Sequence, residues 1–247
     1  MFKVDSLLRQ LAQRYETAEF LRDDPSHFMH QVVGQANQET MAFVAAALSY
    51  GSRQQFFPKI QFALDRSHGD IYEWVRQGRY ADDIPDDDRC YYRLYTNHTM
   101  RTFLQTLRQL LTQYDTLGRF VSQSDCQSDA FRALSAIVRF FAVHGPVAVI
   151  PKDTRSACKR LCMFLRWMVR DGSPVDLGLW SETIDKRTLI MPLDTHVLTQ
   201  SRRLQLISSS SGTMHTAQRL TDRMRQIFPE DPLKGDFALF GYGINQA

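Results

Sequence analysis

Lys159 and Asp194 stand 35 residues apart, each at a point where a helix is expected to begin. An ammonium in the first turn of a helix faces the exposed N–H groups and the positive end of the macrodipole, which disfavours its charge. A neutral amine is what a Schiff-base nucleophile requires, and ordinary helices place lysine at the other end. Asp194 follows Pro192 and precedes the apolar face Val197, Leu198 and Leu204, the position of an N-cap that accepts an N–H from the next turn. A carboxylate held this way is oriented and ionised, able to stabilise positive charge on a sugar ring or to accept a lysine proton. Both residues also have a plain structural reading. Lys159 exposed beside a carboxylate such as Asp153, and Asp194 acting as a cap alone, would account for them.

The element that must carry Lys159 is a helix over 156–169. With Ser156 as N-cap, steps of about 100° put Lys159, Arg166 and Arg170 within about 40° of one another, Met163 between them and Leu161, Phe164, Leu165 and Met168 opposite. An amphipathic helix with a basic stripe is expected. Period-3.6 spacing recurs along the rest of the chain, predicting helices over 4–15, 37–50, 53–67, 70–77, 97–114, 117–120, 128–142, 195–204, 213–228 and 235–242. Breaks fall at Asp24-Pro25, Gly51, His68-Gly69, Gly145-Pro146, Gly172-Ser173-Pro174 and 208–212. The fold class is all-α, and the acidic run 82–88 reads as a solvated loop that would repel a phosphate backbone.

A chain of 247 residues, 43% hydrophobic, is long enough to bury one large core or two moderate ones. No apolar run could span a bilayer and the first residues lack a signal-peptide core, so a cytoplasmic protein without a membrane partner is expected. Cys90, Cys126, Cys158 and Cys162 form no CxxC pair; reduced thiols, no metal site and no cofactor follow as expectations. The net charge of +3 names no partner, although residues 151–247 hold 14 basic groups against 10 acidic. Arginine supplies 24 of the 30 basic residues, and its planar fork suits phosphate.

Met191-Pro192-Leu193-Asp194-Thr195-His196-Val197 resembles the V-D-T-H segment of the helix-hairpin-helix (HhH-GPD) DNA glycosylase superfamily, whose aspartate is catalytic. The helix carrying Lys159 resembles the second hairpin helix, where bifunctional members hold their nucleophilic lysine. Ala45-Ala46-Ala47-Leu48-Ser49-Tyr50-Gly51 is similar to the element opening the catalytic core, and Asp236-Phe237-Ala238-Leu239-Phe240-Gly241 to a terminal helix returning to the active site. Together these motifs resemble an uncharacterised bacterial family of this type, and the longer Lys–Asp connection is nearest to archaeal 8-oxoguanine DNA glycosylases. The hairpin position is Pro151-Lys152-Asp153-Thr154-Arg155-Ser156, without the glycines that present backbone amides to phosphate.

The resemblance implies two helical subdomains with a cleft between them: an N-terminal segment 1–38 packing with the C-terminal part, a core over 39–189 and a completing segment 190–247. It implies a monomeric DNA repair enzyme, an N-glycosylase with AP-lyase activity, hydrolase and lyase in one site, acting on a damaged base such as an oxidised purine in duplex DNA. Lys159 and Asp194 would be catalytic. Lys152, Arg155, Ser156, Arg160, Arg166 and Arg170 would contact DNA. Tyr50, Arg53, Gln54, Trp167, Trp180, His196 and Phe240 would surround the everted base. Two other readings stand beside this one: a helical DNA-binding module in which Lys159 is structural, and an interaction protein unrelated to nucleic acid.

Overall fold

A computed structural model describes residues Phe2–Ile244. The fold is all-α, 62% helix and 3% strand. In chain order the elements are α1 (Phe2–Tyr15), α2 (Gln35–Leu48), α3 (Arg53–Arg66), α4 (Ile71–Arg76), α5 (Tyr80–Asp83), the strands β1 (Cys90–Tyr92) and β2 (Tyr95–Thr96), α6 (Asn97–Tyr114), α7 (Leu117–Gln123), α8 (Ala130–His144), α9 (Lys159–Val169), α10 (Thr195–Arg203), α11 (Met214–Ile227) and α12 (Lys234–Ile244). Two short 3-10 helices, Ala18–Asp23 and Pro25–His30, join α1 to α2.

Two compact units divide the chain. One contains Met1–Arg22, Gln127–Leu134 and Thr154–Ala247; the other contains Asp23–Cys126 and Ser135–Asp153. The first unit holds α1 and, from Thr154 onward, α9 to α12, while residues 23–38 fall in the second. Within the first unit Arg170, the C-cap of α9, pairs with Glu16, just past α1, and with Asp231, and Arg166 of α9 pairs with Asp236.

In the second unit, α2, α6 and α8 bring the rings of Phe43, Phe103 and Phe141 to within 5.9 Å of one another, all three buried. The acidic run does more than solvate a loop. Asp83 accepts the indole N–H of Trp74 at 2.8 Å, and Asp87 accepts from Arg89 and Asn97, because a chain entering a short antiparallel hairpin has backbone and side-chain donors to satisfy. The Arg89 hydrogen bond holds the Asp87 carboxyl below its ordinary value.

In the first unit, α12 lies against α1 and α10. A Cβ on Gly241 would collide with the ring of Tyr15, so only glycine admits that approach of α1 to α12. Phe20 meets Phe237 edge-on at 4.9 Å and Phe240 at 5.6 Å.

Candidate active site

α9 does not begin at Ser156. Residues 155–157 pair with 212–214 in a short antiparallel bridge, Ala157 N–H donating to Gly212 O at 3.1 Å and Met214 N–H to Arg155 O at 3.0 Å. Those backbone bonds hold Ser156 outside the helix, and Cys158, in the left-handed region at φ 45°, becomes the N-cap without a side-chain capping hydrogen bond. Lys159 is therefore the first helical residue, two residues nearer the open end than expected.

Asp194 caps α10 as the sequence requires. Its Oδ1 accepts the Val197 N–H at 2.8 Å, while its Oδ2 lies 3.7 Å from the Lys159 amine. Capping and lysine pairing are thus performed together, one oxygen each. The two side chains retain 35% and 21% exposure, so the pair is open to a reactant while partly desolvated.

The polar stripe of α9 points inward. Arg166 Nε donates to Asp176 at 3.2 Å and its Nη1 to Asp236 at 2.5 Å. Arg170 pairs with Asp231 at 2.7 Å, with Glu16 at 2.6 Å and with Asp176. Both guanidinium groups lie over the ring of Phe237, 4.6 and 5.2 Å from its centroid. Arg166 and Arg170, expected at phosphates, are buried and held by carboxylates, because a helix packed on all sides sends its basic face to internal anions. Burial works against the charge of Arg170, but the Asp231 hydrogen bond and the charges of Asp176, Asp231 and Glu16 more than offset it and raise its pKa.

Asp236 is the residue that sequence reasoning missed. Burial pushes its carboxyl up to about 6; Arg166 opposes the rise, Asp194 adds to it and Lys159 opposes it, so the group senses both members of the pair. The signal was the D-F-A-L-F-G motif itself: Asp236 binds Arg166, Phe237 supports both guanidiniums, Phe240 packs on Phe20 and Gly241 admits Tyr15. Burial also raises Asp176, against the pull of Arg166 and Arg170.

The remaining candidates separate. Arg155 and Ser156 are exposed and Arg160 half-buried in the same unit as the pair. Trp167 and Trp180 are core residues, Trp180 edge-on to Phe164 at 5.3 Å, since neighbouring side chains cover the indoles that a base would need to reach. His196 is exposed on the first turn of α10, and Phe240 is half-buried. Lys152, Tyr50, Arg53 and Gln54 belong to the other unit. Lys152 borders a cavity of about 350 Å³ lined by Phe141, Val147 and Ile150. Tyr50 lies beneath the Arg93 guanidinium at 4.8 Å, and Arg53 donates to Asp23 O at 2.6 Å.

Among the described residues, no cluster of three His, Cys, Asp or Glu side chains could hold a metal, and no helix is long and apolar enough to cross a membrane. No curated protein and no solved structure matches the chain. A family profile matches residues 24–245, and the chain belongs to that family, described as a protein of unknown function (DUF2400).

Proposed function

We propose that this protein is a DNA N-glycosylase with AP-lyase activity, built on the scaffold of the HhH-GPD superfamily, with Lys159 as nucleophile and Asp194 as its electrostatic partner. The observation that carries the reading is the partly exposed Lys159–Asp194 pair, 3.7 Å apart at the N-termini of two helices, with the second Asp194 oxygen fixed by the Val197 N–H.

In this reading the neutral Lys159 amine attacks C1′ of an everted nucleotide as the glycosidic bond breaks, and the base departs with that electron pair and takes up a proton. Asp194, oriented by its cap geometry, faces the positive charge that builds on the sugar. Ring opening gives an imine to Lys159, and loss of a proton from C2′ then expels the 3′ phosphate. The exposed Arg155, with the half-buried Arg160, supplies phosphate contacts, a role withdrawn from Arg166 and Arg170. A monomer acting in the cytoplasm on an oxidised purine in duplex DNA fits this chemistry.

Incubation with duplex DNA bearing an abasic site under borohydride tests it. Wild type is expected to be trapped as a covalent complex and Lys159→Gln is not. If wild type forms no complex with abasic or 8-oxoguanine-containing duplex, the pair is a structural ion link and the catalytic reading fails.

A further inference from the structure

In the second unit, the last turn of α8 stands between two cavities. One, of about 300 Å³, is lined by the buried Phe120 and Phe140 and by Tyr114; the other, of about 350 Å³, by the buried Phe141 and Ile150. The Phe140 and Phe141 ring centroids are 6.1 Å apart. Val143, on the same turn, borders the first cavity and is 72% exposed; Ala142 borders the second and is also exposed. The surface is firmly built. A Cβ on Gly145 would collide with the Thr106 hydroxyl, so the turn after α8 is pressed against α6, and the Tyr95 hydroxyl donates to Ala148 O at 3.4 Å. Pro146 and Pro151 fix the backbone at both ends of the segment that closes the second cavity. No acidic side chain lines either cavity. Arg139 and His144 line the first and Lys152 the second. Arg139 and Lys152 are exposed and, among the described residues, have no carboxylate partner, unlike Arg119, which Asp115 holds at 3.2 Å. A solitary exposed valine is ordinary, but here it joins two apolar cavities and two unpaired cations.

We propose that this end of α8 docks an amphipathic helix of a partner protein, acidic along its flanks and carrying two large apolar side chains three or four residues apart. Side chains at that spacing lie on one helix face with their Cβ atoms about 5–6 Å apart, which matches the separation of the two rings that back the cavities. One apolar side chain enters each cavity, and the contact covers Val143 and Ala142. Arg139 and Lys152 at the edges favour a partner with carboxylates there and disfavour a basic one. Because the surface is already held by Gly145, Pro146 and Pro151, little freedom is lost when it is covered. Duplex DNA also carries negative charge, but its phosphate backbone has no apolar group with which to fill two cavities. The inference stands apart from the Lys159 chemistry, which belongs to the other unit.

A phage-displayed library of random peptides of about 16 residues, long enough to form a helix, selected on the full-length protein, tests this. The enriched peptides are expected to be acidic, with large apolar residues paired at helical spacing. Measured by fluorescence anisotropy, their affinity is expected to fall at least about tenfold in Val143→Asp. In Arg139→Glu and Lys152→Glu it is expected to fall more at low salt than at high salt. All three positions are exposed, so the variants are expected to keep the wild-type melting temperature. If Val143→Asp does not fold, the two charge reversals decide the matter. Failure to enrich any peptide overturns the proposal, as do enriched peptides that are not acidic or that bind Val143→Asp as tightly as wild type. Displacement of the peptides by duplex DNA also overturns it, assigning the face to nucleic acid instead.

Discussion

Asp194 divides its work between two oxygens, and mutation can separate them. Asp194→Ala removes both and should lower stability by about 1 kcal/mol through the lost cap, in addition to ending borohydride trapping. Asp194→Asn keeps an acceptor for the Val197 N–H, so its melting temperature should stay near wild type while trapping is lost. Thermal denaturation beside the trapping assay tells the two roles apart, and equal destabilisation by Asn and Ala would contradict the assignment of one oxygen to the cap. Asp236 makes a pH-dependent prediction of its own. Its folded value of about 6 stands above the ordinary 3.8, so the folded state binds this proton more tightly than the unfolded chain. The resulting stability is fully present below about pH 4 and is lost as pH rises through about 6. The melting temperature of wild type relative to Asp236→Asn is therefore expected to decline across that window; a difference that stays constant from pH 4 to 8 would be the contrary result.

Helix α9 shows how an ion network can substitute for a polar surface. Arg170→Ala leaves Asp231, Asp176 and Glu16 without their shared cation, and is expected to cost roughly 3–5 kcal/mol in denaturant unfolding. Arg155→Ala, at an exposed position, should change stability by no more than about 0.5 kcal/mol while weakening any salt-sensitive DNA binding. The contrast marks what was legible in the chain. Periodicity gave α6 with both of its ends and α3, α10 and α11 to within a residue or so, because apolar spacing and caps such as Thr96, Asp194 and Thr213 act locally. It placed Lys159 and Asp194 at helix starts for the same reason. It took the basic face of α9 for a surface, since a single helix does not reveal that Asp176, Asp231, Asp236 and Glu16 will meet it from distant segments. The β1–β2 hairpin, α5 and the 3-10 helices, a third of which spans Lys186–Thr188, escaped because each is too short to establish a period, and Asp236 escaped because its meaning lies in its neighbours.

Across the chain, chemistry is segregated by burial. Cys90 is exposed whereas Cys126, Cys158 and Cys162 are buried, and burial raises the Cys162 thiol. A thiol reagent at neutral pH should therefore modify Cys90 quickly and the other three only after denaturation; rapid loss of all four in native buffer would contradict the packing of α9. Gly241 against Tyr15, together with Glu16 and Asp231 on Arg170, has a further consequence for how the protein is made. Asp231 follows Arg170 by 61 residues and Asp236 follows Arg166 by 70. During synthesis the two arginines therefore leave the ribosome with only Glu16 and Asp176 to meet, and the network closes once the segment carrying α12 has emerged. Chains stalled before that point would be natural clients for chaperones and proteases.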